Sequence, residues 1–215
     1  PDAREMHRIA TLVRTHFPEV PIIVGGPHAS ADPEDCLSNP AISYAVMGEG
    51  EATFAELLDT LAAGRSARDL PGIAWKDESG KVTQNPEREP IMDMDSMPFP
   101  AWDLINIEAY KEYRGATPVG KRRFMSIFTS RACPYQCTYC HTIFGKKFRA
   151  RSPENVVAEI RELRDRYGIS VIEVSDDIFN LQWKRAHAIS SAIASSDLDI
   201  RMSFPNGLRA DIMRP

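Results

Sequence analysis

Cys133, Cys137 and Cys140 lie within Thr129-Ser130-Arg131-Ala132-Cys133-Pro134-Tyr135-Gln136-Cys137-Thr138-Tyr139-Cys140, separated by a four-residue step and then a three-residue step. One tight loop with this spacing can wrap three thiolates around a single inorganic centre. Three ligands are one short of the cysteine set that usually holds a cubane iron–sulfur cluster. The iron left without a protein thiolate is open to a small molecule. The same residues also permit a zinc reading, with His141 as a fourth ligand after Cys140. Structural zinc sites normally pair two short two-ligand elements far apart in sequence, whereas here all the donors crowd into one loop. Neighbouring Cys140 and His141 would also struggle to reach one tetrahedral ion, so His141 reads as a solvated loop residue.

The elements that must carry this loop follow from periodicity. Phe124-Met125-Ser126-Ile127-Phe128 reads as a strand that delivers the chain into the cysteines. Ser152-Pro153-Glu154 is a helix start, with Ser152 as N-cap, Pro153 at the first helical position and an acid in the first turn. Val156, Ile160, Leu163 and Tyr167 then form one stripe, and Gly168 closes the helix. Ile169 to Val174 reads as a strand ending at Ser175-Asp176-Asp177. Trp183, Ala186, Ile189 and Ile193 mark a helix, and Ile200 to Phe204 a third strand. Strand–loop–helix repeated in this way is the opening of a β/α barrel, whose active sites lie at the carboxyl ends of the strands.

The first part of the chain is also α/β. Met6, Ile9, Ala10, Val13 and Phe17 have helical spacing before Pro18. Pro21-Ile22-Ile23-Val24 runs as a buried strand into Gly25-Gly26-Pro27-His28, and Ser43 to Met47 runs likewise into Gly48-Glu49-Gly50. A helix from Glu51 to about Ala63 sets Phe54, Leu57, Leu58 and Leu61 on one face. Helices alternating with such strands imply a parallel sheet with helical crossovers. Gly72 to Gln84 reads as a hairpin, and Pro86, Pro90, Pro98 and Pro100 make the stretch from 85 to 102 read as an inter-domain linker.

Composition narrows the function classes. The chain has 215 residues, 43% of them hydrophobic, with 26 Lys and Arg against 30 Asp and Glu. A net charge of −4 gives no reason to expect nucleic acid or anionic lipid as a partner. No apolar run approaches the roughly 20 residues of a membrane helix. The clustered cysteines argue for a reducing cytoplasm rather than a disulfide framework, and Cys36 reads as a small buried hydrophobe on a short helix. Lys121-Arg122-Arg123 and the basic run from Lys146 to Arg151 flank the cysteine loop; they read as solvated faces that also attract an anionic substrate. The chain begins with Pro1 and ends at Pro215, and it is expected to be an internal fragment.

The cysteine spacing, with Tyr139 just before the last cysteine, resembles the radical S-adenosylmethionine (SAM) enzymes. Val24-Gly25-Gly26-Pro27-His28, Met47-Gly48-Glu49-Gly50-Glu51 and the linker Met97-Pro98-Phe99-Pro100-Ala101-Trp102-Asp103 resemble the members with an anterior cobalamin-binding domain. The resemblance implies the end of a Rossmann-like cobalamin-binding domain over residues 1–70, a hairpin and proline-rich linker over 71–122, and the first part of a partial (β/α) barrel over 123–215. It implies a [4Fe-4S] cluster on Cys133, Cys137 and Cys140, with SAM held on the open iron and cleaved to a 5′-deoxyadenosyl radical. Tyr139 would lie against the adenine. Asp176 or Asp177 would meet the SAM amino group, in place of the Gly-Gly-Glu of many members, and Arg209 would fork onto the SAM carboxylate. Gly25, Gly26, His28, Gly48, Glu49 and Gly50 would line the cobalamin nucleotide tail. Ala132 stands where close relatives have glycine, so a slightly different turn is expected there. Further implications are a small-molecule substrate, an electron donor such as a flavodoxin or ferredoxin, and methylation of an unactivated carbon. Oxidative cyclisation or rearrangement by a radical SAM enzyme, and a non-catalytic zinc or iron–sulfur binding module, are the alternatives.

Overall fold

The computed structural model describes residues 2–112, 115–116 and 123–213. Lys121 and Arg122 of the first basic cluster lie outside the described residues. The chain divides into two compact units, Pro1–Ile91 and Met92–Pro215.

In the first unit, helix α1 (Ala3–His16) is capped by Asp2, whose side chain accepts from the Arg4 N–H, and it ends ahead of Pro18. Strand β1 (Ile23–Val24), short helices α2 (Pro27–Ala31) and α3 (Pro33–Ser38), strand β2 (Tyr44–Val46) and helix α4 (Gly50–Ala62) follow. Strands β1 and β2 pair in parallel, Ile23 opposite Tyr44. The expected hairpin forms as β3 (Ile73–Lys76) and β4 (Val82–Gln84), but it is not a separate connector. Strand β3 pairs antiparallel with β2, Tyr44 opposite Trp75, so one four-stranded sheet runs β1-β2-β3-β4. Cys36, Leu37, Ala45 and Ala74 are buried together, and burial pushes the Cys36 thiol above its ordinary pKa. Helix α4 differs from its expected stripe. Thr53, Leu57 and Thr60 are its buried residues, whereas Phe54 and Leu58 are exposed. The helix meets its sheet along a narrower face than its leucines suggest.

The second unit begins within the proline-rich segment, and its opening residues form only short 3₁₀ turns, at Met94–Ser96, Trp102–Leu104 and Ile107–Glu112. It is not free chain: Trp102 and Ile107 pack into the core of this unit. Strands β5 (Phe124–Ile127), β8 (Val171–Val174) and β9 (Arg201–Ser203) form a parallel sheet in that order. Between β5 and β8, a two-residue ladder of β6 (Ser130–Arg131) and β7 (Arg149–Ala150) pairs Ser130 with Ala150 and so closes the cysteine loop at its base. Helix α5 (Pro153–Tyr167) starts as expected, the Ser152 hydroxyl accepting from the Asn155 N–H, and stops at left-handed Gly168. Helix α6 (Trp183–Ala194) lies between β8 and β9 in sequence.

Met125, Ile127, Ile172 and Val174 share the buried core with Val156, Ile160 and Leu163 of α5 and Ile189 and Ile193 of α6. Burying such side chains stabilises by about 1.5–3 kcal/mol each. Strand alternation sends the intervening residues to the other face. There Ser126, Glu173 and Ser203 stand in one register across β5, β8 and β9. The sheet is thus wholly apolar toward its helices, whereas its opposite side mixes these polar residues with Phe124 and Val171.

Candidate active site

Strand β5 ends at Ile127, and Phe128 to Ala132 carry the chain into the cysteine loop. Thr129 is fully buried, and side chains far away in sequence engage its backbone on both sides. Its N–H donates to Asp176 Oδ1 at 2.6 Å, and its carbonyl accepts from Arg185 Nη2 at 2.6 Å. The hydroxyls of Thr129 and Ser130 both donate to Asp176 Oδ2, each at 2.6 Å. Arg151 Nη1 donates to the Phe128 carbonyl at 3.0 Å and pairs with buried Glu159. Arg185 Nε donates to the Arg151 carbonyl at 2.6 Å. Burial pushes the Asp176 carboxyl above the ordinary carboxylate range, although these hydrogen bonds pull it back. Burial lowers the Arg185 guanidinium, opposed by the charge of Asp176.

These positions correct one expectation, the solvated basic run, and distinguish two acids that the sequence leaves alike. Asp176 is only 2% exposed, and its carboxylate is turned onto the loop root. Arg149 and Arg151, read as part of a solvated basic face, are buried. Arg149 Nη2 donates to the Phe144 carbonyl at 2.9 Å and so serves the loop itself. Lys146 Nζ likewise donates to the Tyr135 carbonyl at 2.7 Å. Charge that looks like a solvated surface in the sequence is spent on loop carbonyls.

Ala132 adopts φ 69°, left-handed backbone that glycine takes freely and alanine takes at a cost of about 1–2 kcal/mol. The turn that glycine would supply is therefore kept. Beyond it the loop opens. Cys133 is half-buried, Cys137 and Cys140 are exposed, and all three are free thiols. Tyr139 is 91% exposed. Asp177 lies beside the loop, with Oδ1 3.1 Å from His141 Nε2, immediately after Cys140. Arg209 stacks on the Tyr135 ring at 3.9 Å. Its fork is held by Asp211, with Nε at 2.9 Å and Nη2 at 2.5 Å, and that pairing raises the guanidinium pKa, with a smaller contribution from Cys133. Asn180 and Arg209 exchange two hydrogen bonds, which fix the Arg209 backbone. The structure thus brings Arg209 onto Tyr135 and Asp177 beside His141.

Among the described residues, no three His, Cys, Asp or Glu side chains gather closely enough to cage a metal ion. A cubane cluster spreads its thiolates over separate irons. The donor set of three free thiols in one exposed loop on a buried root fits that group.

In the first unit, the turns after parallel β1 and β2 lie side by side. Gly26 (φ 94°) and Gly48 (φ 68°) are left-handed, and a side chain at either would meet nothing within 4 Å. The open space leaves room for a ligand to approach the backbone. Ser30 staples the two turns, its hydroxyl donating to the Gly26 carbonyl at 3.0 Å and accepting from the Gly48 N–H at 2.9 Å. Sequence reading missed Ser30, which carries no motif of its own. His28 is tied by Nε2 to Asp35 Oδ2 at 2.7 Å, and His7 shares the same oxygen at 3.2 Å. Glu49 Oε2 accepts from the Ile91 N–H at 3.2 Å, so its carboxylate braces the end of this unit. A Cβ added at Gly25 or Gly50 would meet Val46 at no less than ordinary van der Waals distance.

Comparison with known proteins finds two family matches: residues 1–58 to the B12 binding domain and residues 127–214 to the radical SAM superfamily. An uncharacterized methyltransferase of Pyrococcus horikoshii is 38% identical, over 91% of this chain and 42% of its own length. Cytidylyl-2-hydroxyethylphosphonate methyltransferase of Streptomyces wedmorensis is 34% identical, over 95% of this chain and 42% of its own length. The chain therefore spans less than half of these curated relatives. A solved cobalamin-dependent SAM radical enzyme, OxsB, superposes with TM-score 0.76 at 24% identity, over 93% of this chain and 28% of that one. That likeness establishes the fold.

Proposed function

We propose that this chain, a member of the radical SAM superfamily with a B12 binding domain ahead of its radical SAM domain, is the cofactor-binding part of a longer enzyme. That enzyme binds a [4Fe-4S] cluster, SAM and cobalamin and methylates an unactivated carbon of a small molecule. When bound, the cluster supplies the electron that cleaves SAM, and cobalamin carries the methyl group. The methyltransferase names of the two curated relatives favour methylation.

The observation that carries this reading is the cysteine loop: three free thiols at the carboxyl end of a parallel β/α sheet, where such folds place their chemistry. Cys133, Cys137 and Cys140 hold the cluster. Asp177, beside the loop, offers a carboxylate for the SAM ammonium, a charge-assisted hydrogen bond. Arg209, stacked on Tyr135 of the loop, must leave Asp211 to receive the SAM carboxylate. Exposed Tyr139 provides a ring for the adenine. In the first unit, the stapled turns at Gly25-Gly26 and Gly48-Glu49-Gly50 accept the cobalamin tail against bare backbone, with His28 held at their edge by Asp35. The protein's task is to hold and orient these groups, while the bond-breaking belongs to the cofactors.

Anaerobic reconstitution of the full-length parent tests the proposal. A brown protein absorbing near about 400 nm, the region of thiolate-ligated clusters, that releases 5′-deoxyadenosine from SAM and retains cobalamin supports it. A colourless protein with stoichiometric zinc, or SAM left intact under strong reductant, rejects it. A protein that cleaves SAM without taking up cobalamin rejects the methylation step alone.

A further inference from the structure

We infer that Asp176 is a positioning residue that fixes the root of the cysteine loop, leaving Asp177 as the carboxylate that faces the ligand. The inference rests on the functional reading above and divides between two adjacent acids a task the sequence leaves undivided.

The geometry carries the division. Both Asp176 oxygens are engaged, Oδ1 by the Thr129 N–H and Oδ2 by the hydroxyls of Thr129 and Ser130. These hydrogen bonds and burial at 2% exposure together close the carboxylate to any ligand. Asn206 Nδ2 donates to the Asp176 carbonyl at 3.0 Å and reaches the Ser175 carbonyl at 3.3 Å, which pins the end of β8 as well. Asp177, in the bend that follows, instead sets Oδ1 3.1 Å from His141 Nε2, further along the cysteine loop.

What Asp176 holds is the stretch leading to the ligands. Thr129 and Ser130 are followed by left-handed Ala132 and then Cys133. Arg185 and Arg151 hold the carbonyls of Thr129 and Phe128 in the same buried cradle. A shift of this root moves Cys133 with it, since only Arg131 and Ala132 lie between. Groups that orient ligands from behind typically change metal affinity by about 10–100-fold when removed.

The test compares Asp176→Ala, Asp176→Asn and Asp177→Asn in the anaerobically reconstituted full-length parent. Asp176→Asn is expected to behave as wild type in cluster retention and SAM affinity. Its amide oxygen still accepts from the Thr129 N–H, and the two hydroxyls can accept as well as donate. The neutral side chain also suits a site whose burial already disfavours charge. Asp176→Ala is expected to hold its cluster about 10–100-fold less tightly against a chelator. The electron paramagnetic resonance spectrum of its reduced cluster should change while its far-ultraviolet circular dichroism does not. Asp177→Asn is expected to keep its cluster and lose about tenfold or more in SAM affinity, the scale of one hydrogen bond between charged groups.

An Asp176→Asn protein with an intact cluster and weakened SAM binding would overturn the inference, because the charge of Asp176 would then be in contact with SAM. If Asp176→Ala fails to fold, Thr129→Val with Ser130→Ala removes both hydroxyl donors and leaves the acid in place. That double variant should reproduce the weakened cluster retention, and full retention would overturn the inference. A wild-type parent that takes up no cluster overturns the functional reading itself, and this inference with it.

Discussion

The root and the rim of the cysteine loop are a few residues apart and physically opposite. At the root, Thr129 and Ser130 are buried, bound by Asp176, Arg151 and Arg185. At the rim, Cys137, Tyr139 and Cys140 are exposed. Rigidity is concentrated where the fold can supply it, and the rim offers its thiols to what it binds. A ligand-binding loop needs its opening end to be free and its base to be fixed, and such segments come from the low-stability end of a structure.

Variants can break or sharpen this contrast. The largest effect is expected from Glu159→Ala, which strands the Arg151 charge in the buried root. Losing one partner of a buried pair costs about 3–5 kcal/mol, to be read from the unfolding transition of the radical SAM unit in denaturant. A smaller effect follows from Asp176 and pH. Its folded pKa is raised, so the folded state binds the proton more tightly than the unfolded chain does. Stability from this group is therefore greatest at low pH and declines as pH rises from the ordinary carboxylate range through the raised folded value. Asp176→Asn should remove that decline, and a stability profile over this window checks it. Ala132→Gly relieves the left-handed strain but loosens the unfolded chain, for a net gain of up to about 1 kcal/mol. Thermal unfolding measures it. Least of all, Tyr139→Ala at the rim should leave stability within about 0.5 kcal/mol. A loss comparable to the root variants would mean the rim is built into the fold.

The same contrast explains what the sequence made legible. The cysteine spacing, the Ser152-Pro153 start and Gly168 stop of α5, and the strands ending at Ile127 and Val174 all follow from local chemistry, and the structure has them where periodicity puts them. Asp176, Arg149, Arg151 and Arg185 were not legible as root residues, because a charged side chain looks the same in sequence whether it meets water or a distant carbonyl. Ser30 was invisible for a similar reason: it joins two turns that become neighbours only when β1 and β2 pair. Phe54 and Leu58 show the converse error, since periodicity reveals an apolar face but not how much of it a neighbour covers. The hairpin at Gly72 to Gln84 was recognisable as a hairpin, but its partner β2 was not.

The adjacency of Asp176 and Asp177 has an evolutionary corollary. The two acids follow β8 (Val171–Val174) closely, so deleting or inserting a single residue in that strand would carry a different side chain into the buried place of Asp176. Lineages should therefore accept substitutions along Val171–Val174 far more readily than any change in its length. Strand length, rather than the identity of either carboxylate alone, keeps the two acids in their separate trades.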